Sequence, residues 1–309
     1  VWFKGWHAKL LVDMNPLKRR MFLKSGLAAS ALGFPALGQV RGANDRVQVA
    51  LIGCGGRGTQ VTSSLARRSD VECSQVCDIH EERLVRIAEH MAEQQGGRKP
   101  LLARRMEEVF ANKGVDAVVV ATPDHWHTPA AILACQAGKD VYVEKPFSHN
   151  IWEGRKLVEA ARKYKRIVQV GTQNRSAPYN HAAREYIRSG RLGDVRLVKV
   201  FNLKGGGPFH LGTSGSPPKG FSWKTWLGPA KARPYHSRIF HAGWHYFWDY
   251  SGGDLADCGI HQLDLALMVM GDPAAPAAVS ASGGRIQHRG DDAEVPDVEI
   301  LQYDYPGFV

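Results

Sequence analysis

From residue 46 onward, short apolar runs alternate with longer amphipathic stretches. Runs such as VQVALI and VDAVVV have the length and β-branched content of buried strands. Stretches such as EERLVRIAEHMAEQ and IWEGRKLVEAARKYK place their apolar residues on one helical face. Because strands alternate with helices, the pattern predicts an α/β fold with a doubly wound parallel sheet over residues 46–172.

A glycine-rich turn follows the first predicted strand. In ALIGCGGRGTQV, Gly53, Gly55 and Gly58 form G-x-G-x-x-G between strand and helix. The first glycine permits a tight turn, the second lets the backbone approach a pyrophosphate, and the third lets helix and strand pack closely. In this context the turn predicts a Rossmann dinucleotide site; the alternative is a glycine turn that binds no nucleotide.

The type of dinucleotide is predicted from the next strand, VECSQVCD, which ends in Asp78. This residue lies about 20 positions after Gly58, where a carboxylate binds the ribose hydroxyls and repels a 2′-phosphate. NAD is therefore favoured over NADP, although the basic side chains of Arg57 and His80 weaken that preference.

Two further strands end in polar residues. ATPDHWH and VYVEKP both follow apolar runs, and the carboxyl edge of a parallel sheet is where a cofactor crevice opens. Pro146 stops the strand directly after the charged pair of Glu144 and Lys145. A surface salt bridge that caps the strand is the alternative to a functional lysine.

Asp124, His125 and His127 form a metal-like cluster, but no further clustered ligand follows, so we predict no metal site.

The second half of the chain, residues 173–309, contains a glycine turn that leads into the predicted helix GGDLADCGIHQLDLALMVMG. Asp257 and His261 are four residues apart and share one helical face, which is also common for a plain polar face. Histidine titrates near neutrality and suits the removal of a carbinol proton.

The aromatic tract FHAGWHYFWDY suits stacking on sugar rings or packing in a core. Trp244 and His245 in this tract, and Arg238 just before it, are candidate substrate contacts.

Charge and composition exclude several classes of partner and structure. The formal charge of the 309 residues is +10, and residues 1–45 contribute half of it. The remaining charge is spread out without a basic stripe, so no nucleic-acid partner is expected. No apolar run reaches about 18 residues, so no membrane span is expected. The five cysteines are odd in number and lack paired spacing, which argues against a disulfide framework.

Residues 1–45 have the layout of an export signal. KRRMFLKSGLAASALGFPALG combines a basic start, a short apolar region and small residues near a cleavage site. Arg19 and Arg20, followed by Phe-Leu-Lys, resemble a twin-arginine signal. We therefore expect export to the periplasm by the twin-arginine machinery; a core helix is the weaker alternative, because Gly26, Gly33 and Pro35 interrupt it. The chain stops inside an apparent strand, so a C-terminal truncation is expected.

Five motifs in order resemble one family. GCGGRG, ATPDHWH, GKDVYVEKP, GTQNR and GGDLADCGIHQLDLA are similar to those of the Gfo/Idh/MocA oxidoreductases, which include glucose–fructose oxidoreductase and inositol dehydrogenase. The resemblance covers about residues 46–309 and is closest to an exported branch. It implies a C-terminal α/β domain on an open, largely antiparallel sheet over residues 173–309, which often serves in homo-oligomers.

The resemblance also implies site residues. Lys145 would contact the reacting carbinol and stabilise a developing alkoxide, His261 would act as general base or acid, and Asp257 would bind or orient the substrate. The predicted cofactor-binding set is Gly53, Gly55, Gly56, Arg57, Gly58, Asp78, Thr122, Pro123, His127, Glu144, Lys145 and Gln173. The predicted substrate-binding set is Trp126, Asp257, His261, Arg238 and Trp244.

These residues predict an oxidoreductase that acts on a secondary alcohol of a sugar, polyol or sugar derivative. An exported enzyme has no replenished NAD pool outside the cytoplasm, so a tightly bound cofactor is expected. A second hypothesis is an NAD-dependent glycosidase that oxidises a sugar carbon transiently, eliminates the aglycone and reduces the carbon again. A third, a sugar-binding protein without activity, is disfavoured because Lys145, Asp257 and His261 are all present.

Overall fold

The computed structural model describes residues 46–203 and 207–309. The predictions on residues 1–45, including the export signal, lie outside the described residues. Six segments of the first half form strands, and each of the first five strands is followed by a helix. The elements of this half are β1 Val47–Ile52, α1 Gly56–Ala66, β2 Val71–Cys77, α2 Glu81–Gln94, β3 Leu101–Ala103, α3 Met106–Ala111, β4 Ala117–Val120, α4 Asp124–Gln136, β5 Asp140–Val143, α5 Ile151–Tyr164 and β6 Val168–Val170.

All six strands pair in parallel in the order β3-β2-β1-β4-β5-β6, which confirms the predicted doubly wound sheet. Alternate residues of one strand enter opposite cores: Ala50 and Ile52 pack on one face, and Val49 and Leu51 on the other. The order reverses between β1 and β4, so the crevice of the sheet lies beside the glycine turn after β1.

The polar residues of the ATPDHWH motif lie on a helix. After β4, α4 begins at Asp124 and includes both histidines in its first turn. Pro123 precedes the helix with extended backbone angles, and the helix begins at the residue that follows it. The short elements β3 and α3 were not predicted.

The second half contains short helices and one small sheet. Its elements are the 3₁₀ turn Gln173–Ser176, α6 Pro178–Arg188, α7 Trp223–Leu227, α8 Ser237–Phe240, the 3₁₀ turn Gly243–Tyr246, the π-helical turn Leu255–Gly259, α9 Ile260–Val269, β7 Ala278–Gly284 and β8 Val298–Asp304. β7 and β8 pair antiparallel, in agreement with the predicted antiparallel C-terminal sheet.

A cluster of aromatic side chains forms the core of this half. Its buried members are Phe209, Phe221, Trp223, Trp226, Leu227, Tyr235, Ile239, Phe240, Phe247 and Tyr250. We call residues 221–250 the aromatic segment. Trp223 and Trp226 stack with ring centroids 4.5 Å apart, and Phe221 meets Phe240 edge-on at 4.7 Å. Rings packed this way hold the segment in place although little of it is regular backbone.

Candidate active site

A cleft of about 910 Å³ runs along the carboxyl edge of the parallel sheet. The first half contributes the glycine turn and the ends of β2, β4 and β5. The second half contributes Thr225, Trp226, Phe240, His241, Ala242, Trp244, His245 and Asp257. Of the predicted site residues, the cleft is lined by Gly53, Gly55, Gly56, Arg57, Asp78, Thr122, Pro123, Trp126, His127, Glu144, Lys145, Trp244, His245 and Asp257.

The glycine turn has the geometry that a bound pyrophosphate needs. Gly53 has a φ of +97°, and a Cβ there would lie 2.5 Å from the Ala121 carbonyl oxygen. A Cβ on Gly58 would lie 2.1 Å from the Gly53 oxygen, so this glycine keeps α1 against the turn. Gly55 and Gly56, in contrast, face open space within 4 Å. That space lies at the N-terminus of α1, where backbone N–H groups and the helix dipole favour an anion.

Asp78 lies at the end of β2, beside the glycine turn. Its Oδ2 accepts a hydrogen bond from the Cys54 amide at 2.7 Å, and its Oδ1 accepts one from the His80 amide at 2.8 Å. Burial raises the pKa of Asp78, and these two amides oppose that rise. The carboxylate is therefore fixed in orientation and keeps further lone pairs for ribose hydroxyls.

Glu144 connects the glycine turn with the end of β5. Its buried carboxylate accepts hydrogen bonds from Arg57 Nε at 2.8 Å and from the Tyr142 hydroxyl at 3.1 Å. The Lys145 amide donates to its other oxygen at 3.2 Å. Glu144 thus fixes the backbone of the E-K-P turn, and the Lys145–Pro146 peptide within that turn is cis.

Lys145 reaches across the cleft to the second half. Its Nζ donates to Asp257 Oδ1 at 2.5 Å and to the Asp257 carbonyl oxygen at 2.6 Å. The two side chains are 16% and 19% exposed. Asp257 lies in the π-helical turn before α9, and such turns are frequent at functional sites. A charge-assisted hydrogen bond of this length holds an ammonium group and a carboxylate in one orientation at the cleft.

Four predicted site residues do not line the cleft. Gly58 acts in packing, and Gln173 is exposed in its 3₁₀ turn. Arg238 directs its guanidinium to the His210 carbonyl and over the Phe209 ring, because the neighbouring ring cluster offers it a cation–π contact. His261 is half-buried on α9, and its Nδ1 has no hydrogen-bond partner in the part of the chain that the structure describes. Burial, then the charge of Lys145, lower its pKa.

Asp124 is a site residue that was not predicted. It lines the cleft, is buried, and accepts a hydrogen bond from the Ser251 hydroxyl at 2.6 Å. Burial raises the pKa of Asp124 to about 8, whereas Ser251 and the charge of Lys145 act to lower it. Its carboxyl group is therefore mostly protonated at neutral pH. Its position directly after the end of β4 was the available sequence signal.

The two neighbouring histidines are held by separate backbone groups. His125 Nε2 lies 3.0 Å from the Trp226 carbonyl oxygen, and His127 Nδ1 lies 2.7 Å from that of Pro146. Burial lowers the pKa of both imidazoles, that of His125 to about 4. Within residues 46–203 and 207–309, no group of three or more His, Cys, Asp or Glu side chains is arranged to hold a metal ion.

The aromatic segment covers the end of the cleft beside Asp78. Phe240 stacks on His80 with centroids 5.5 Å apart, and Arg83 lies over the same ring at 4.3 Å. At its other end, the Trp226 carbonyl accepts a hydrogen bond from Trp126 Nε1 at 2.8 Å. The segment is thus attached to the first half on both sides of the glycine turn.

Two family models match this chain. One, described as "Oxidoreductase family, NAD-binding Rossmann fold", matches residues 47–172. The other, described as "Oxidoreductase family, C-terminal alpha/beta domain", matches residues 205–305. The chain belongs to the Gfo/Idh/MocA family. Its first half is an NAD-binding Rossmann fold, which confirms the predicted cofactor, and the cleft described above fits that dinucleotide.

Three curated proteins are similar to this chain at low identity. An uncharacterized oxidoreductase of Streptococcus pneumoniae is 26% identical over 79% of this chain and 55% of that protein. A glycosyl hydrolase family 109 protein of Shewanella baltica is 26% identical over 48% of the chain and 38% of that protein. The NAD⁺-dependent scyllo-inositol 2-dehydrogenase of Bacillus subtilis is 28% identical over 53% and 38%. The chain spans about half the length, or less, of these relatives.

A solved structure shows the same fold. GenD2 from gentamicin A biosynthesis, determined in complex with NAD, is 25% identical to this chain. The two superpose with a TM-score of 0.63 over 85% of this chain and 64% of GenD2. Separately, no helix in the described parts of the chain is long and apolar enough to cross a membrane.

Proposed function

We propose that this Gfo/Idh/MocA protein is an NAD-dependent oxidoreductase that acts on a secondary alcohol of a sugar, polyol or sugar derivative. The observation that carries the proposal is the hydrogen bond of 2.5 Å between Lys145 and Asp257 beside the NAD cleft. It brings an ammonium group from the NAD-binding half together with a carboxylate from the other half. The similarity to scyllo-inositol 2-dehydrogenase supports a polyhydroxylated substrate.

Bound NAD would supply the hydride acceptor. The side chains of this chain would manage the proton and the developing charge. Lys145 donates a hydrogen bond to the carbinol oxygen and stabilises the alkoxide, while Asp257 holds the ammonium group in place. Trp126 and Trp244 provide ring faces along the cleft against which the apolar side of a sugar packs. His261 remains the predicted general base or acid.

We further propose that NAD is held tightly. The aromatic segment covers the Asp78 end of the cleft through Phe240 and is tied to Trp126 through Trp226. A dinucleotide bound at this end of the cleft would contact Phe240, and that contact would slow its release. The test is mass spectrometry of small molecules released by denaturing the purified protein, combined with nicotinamide fluorescence when sugars and polyols are added. NAD in near-stoichiometric amount and its reduction by one of these alcohols support the proposal. Protein that binds no NAD, or holds NAD that no alcohol reduces, contradicts it.

A second candidate function is an NAD-dependent glycosidase that oxidises and re-reduces a sugar carbon around an elimination. The similarity to a glycosyl hydrolase family 109 protein favours it, as does a covered cofactor site suited to recycling NAD in place. Incubation with aryl glycosides and no added NAD distinguishes the two. Release of the aglycone without accumulation of reduced cofactor indicates the glycosidase; accumulation without release indicates the dehydrogenase.

Export and assembly are two further parts of the proposal. The Arg19-Arg20-Met-Phe-Leu-Lys sequence supports export through the twin-arginine machinery to the periplasm. Replacement of both arginines by lysine should retain the protein in the cytoplasm of a bacterial host.

Val298 and Ile300 of β8 are 40% and 69% exposed on one face of the small sheet, which supports a homo-oligomer. Ultracentrifugation should show a species larger than the monomer.

A further inference from the structure

A second imidazole, besides the predicted His261, lies beside the Lys145–Asp257 pair. His245 lines the cleft, and its Nε2 is 3.9 Å from Asp257 Oδ1. We propose that His245 is a proton-relay residue that transfers the substrate's hydroxyl proton between this pair and solvent. This inference rests on the proposed oxidoreductase function and deepens it.

The backbone before His245 fixes the orientation of its ring. His245 Nδ1 lies 2.7 Å from the Ala242 carbonyl oxygen. Because a carbonyl only accepts hydrogen bonds, Nδ1 carries a proton, and in the neutral ring the lone pair is on Nε2. Nε2 is the atom nearest Asp257. Trp244 stacks on the imidazole with centroids 3.5 Å apart, which further restricts its rotation.

The turn that presents this carbonyl is strained. Ala242 has a φ of +127°, a value that side chains other than glycine rarely adopt. The next residue must be glycine, because a Cβ on Gly243 would lie 2.4 Å from the Arg238 carbonyl oxygen and 2.6 Å from the Phe209 ring. Strained backbone persists where surrounding packing enforces it, and it is concentrated at functional sites. In this turn, the strained backbone places the Ala242 carbonyl oxygen within hydrogen-bonding distance of the imidazole.

Exposure increases along the three side chains. Lys145 is 16% exposed, Asp257 19% and His245 31%. The imidazole is therefore the member of the set with the best access to water. His261 differs from His245 in position and in access to water. It does not line the cleft, and its Nδ1 is buried.

Oxidation of the alcohol would require both a hydride acceptor and a route for a proton. Bound NAD would accept the carbinol hydride, and the hydroxyl proton would remain to be removed. Lys145 passes one ammonium proton to Asp257 and takes up the hydroxyl proton, so that it stays an ammonium group. Asp257 passes its proton to His245 Nε2, and the imidazolium releases one to water. The 3.9 Å separation shortens in the substrate complex, as catalytic hydrogen bonds commonly do.

The surrounding charges determine how the imidazole titrates. Asp257 faces it from the π-helical turn, and Lys145 lies behind that carboxylate. Glu294 contacts the same aromatic segment, but its carboxylate accepts hydrogen bonds from Arg233 at 2.6 Å and from the Trp248 amide at 3.1 Å. Asp257 therefore places a negative charge 3.9 Å from the imidazole, and its removal should make the imidazole easier to deprotonate.

The first test does not depend on turnover. The histidine rings of the full chain with its NAD are labelled with ¹⁵N and titrated by NMR, and the His245 signal is assigned by its loss in His245→Gln. In Asp257→Asn we expect the pKa of His245 to fall by about one unit. His181→Gln, an exposed change on α6, is the control and should leave that pKa unchanged. A His245 pKa that does not respond to Asp257→Asn overturns the inference, whatever the substrate is.

The second test uses the alcohol found to reduce bound NAD. His245→Gln should lower kcat about 100-fold with little change in KM, and should remove the low-pH limb of the kcat profile. Added imidazole should restore part of the rate, which a purely structural role does not predict. NAD retention and thermal stability should match those of His181→Gln. An unchanged kcat and pH profile contradict the inference. If the NMR coupling is present but no alcohol reduces NAD, the proposed function fails and the contact itself stands.

Discussion

Residues 46–172 bury aliphatic side chains on both faces of a parallel sheet, whereas residues 207–250 bury rings and have little regular backbone. In the first region, backbone hydrogen bonds within the sheet fix the position of each strand end. In the second, ring stacking and contacts to the first region fix the position of each side chain. Both regions line the cleft: the sheet positions the glycine turn and Lys145, and the aromatic segment contributes Phe240 and Trp244.

This difference shows where each kind of mutation should act. Changes in the glycine turn should alter folding or dinucleotide binding according to the space around each glycine. Changes in the aromatic segment should alter retention of the dinucleotide. Changes in Lys145 or Asp257, which form a hydrogen bond across the cleft, should alter the chemical step.

The largest effect is expected where the two regions meet. Lys145→Met removes the ammonium group that Asp257 holds at 2.5 Å. We expect kcat to fall about 1,000-fold with bound NAD retained, because alkoxide stabilisation is lost in the transition state. Lys156→Met, which removes an exposed ammonium paired with Glu159, is the control. Single-turnover nicotinamide fluorescence measures the step, and a rate within about threefold of the control would show that the lysine is idle.

The next effect separates folding from binding within the glycine turn. In Gly58→Ala the new Cβ would lie 2.1 Å from the Gly53 carbonyl oxygen, so we expect a loss of about 3 kcal/mol in the free energy of unfolding. In Gly55→Ala the Cβ meets nothing within 4 Å, so stability should change little. NAD affinity should nevertheless fall about tenfold, because the methyl group enters the space of the pyrophosphate.

Urea unfolding and calorimetry of NAD binding, both on protein stripped of cofactor, check this pair. Equal stability losses in the two variants would contradict the assignment of Gly55 to the cofactor and Gly58 to packing.

A smaller effect is expected in the aromatic segment. Phe240→Leu removes the ring that stacks on His80 and Arg83. We expect NAD to dissociate about tenfold faster, with a modest loss of stability from the volume change. Ile239→Val is a matched control, since Ile239 is buried in the same cluster but does not line the cleft. Release is followed by dilution into a trap for free NAD. Equal release rates in the two variants would contradict a covering role for Phe240.

The smallest effect concerns Asp124. Its pKa is raised to about 8 in the folded protein, above the ordinary value of 3.8. The native state therefore binds a proton that the unfolded state has released, so the stabilisation is complete below the unfolded pKa. It is lost as pH rises toward the folded pKa. Between pH 6 and 7 this residue should contribute a slope of at most about −1.4 kcal/mol per pH unit.

Asp124→Asn keeps a neutral group of the same shape beside Ser251 and should remove that slope. Unfolding free energies from urea titrations at several pH values compare the variant with the wild type. Parallel pH profiles in the two proteins would show that Asp124 is already ionised in the folded state.

Particular residues show how far the sequence leads toward the site. The glycine motif, Asp78 and the E-K-P turn were identifiable because each follows directly from a strand, and the sheet then brings all strand ends to one edge. The sequence indicated His245 only as a candidate substrate contact, and it did not indicate that Asp124 lines the cleft. Asp124 reaches Ser251, 127 positions away, and Lys145 reaches Asp257, 112 positions away. Local periodicity carries no information on such distant contacts.

Periodicity and the spacing of glycine, charge and proline determined the doubly wound sheet, its NAD-binding edge and the lysine at that edge, since these depend on neighbours along the chain. The tertiary structure decided which groups meet that lysine. It placed Asp257 on a π-helical turn, turned Arg238 toward the His210 carbonyl and brought His245 beside the ion pair. Those choices depend on how rings pack between distant segments, and side-chain packing in three dimensions is not encoded in any local pattern.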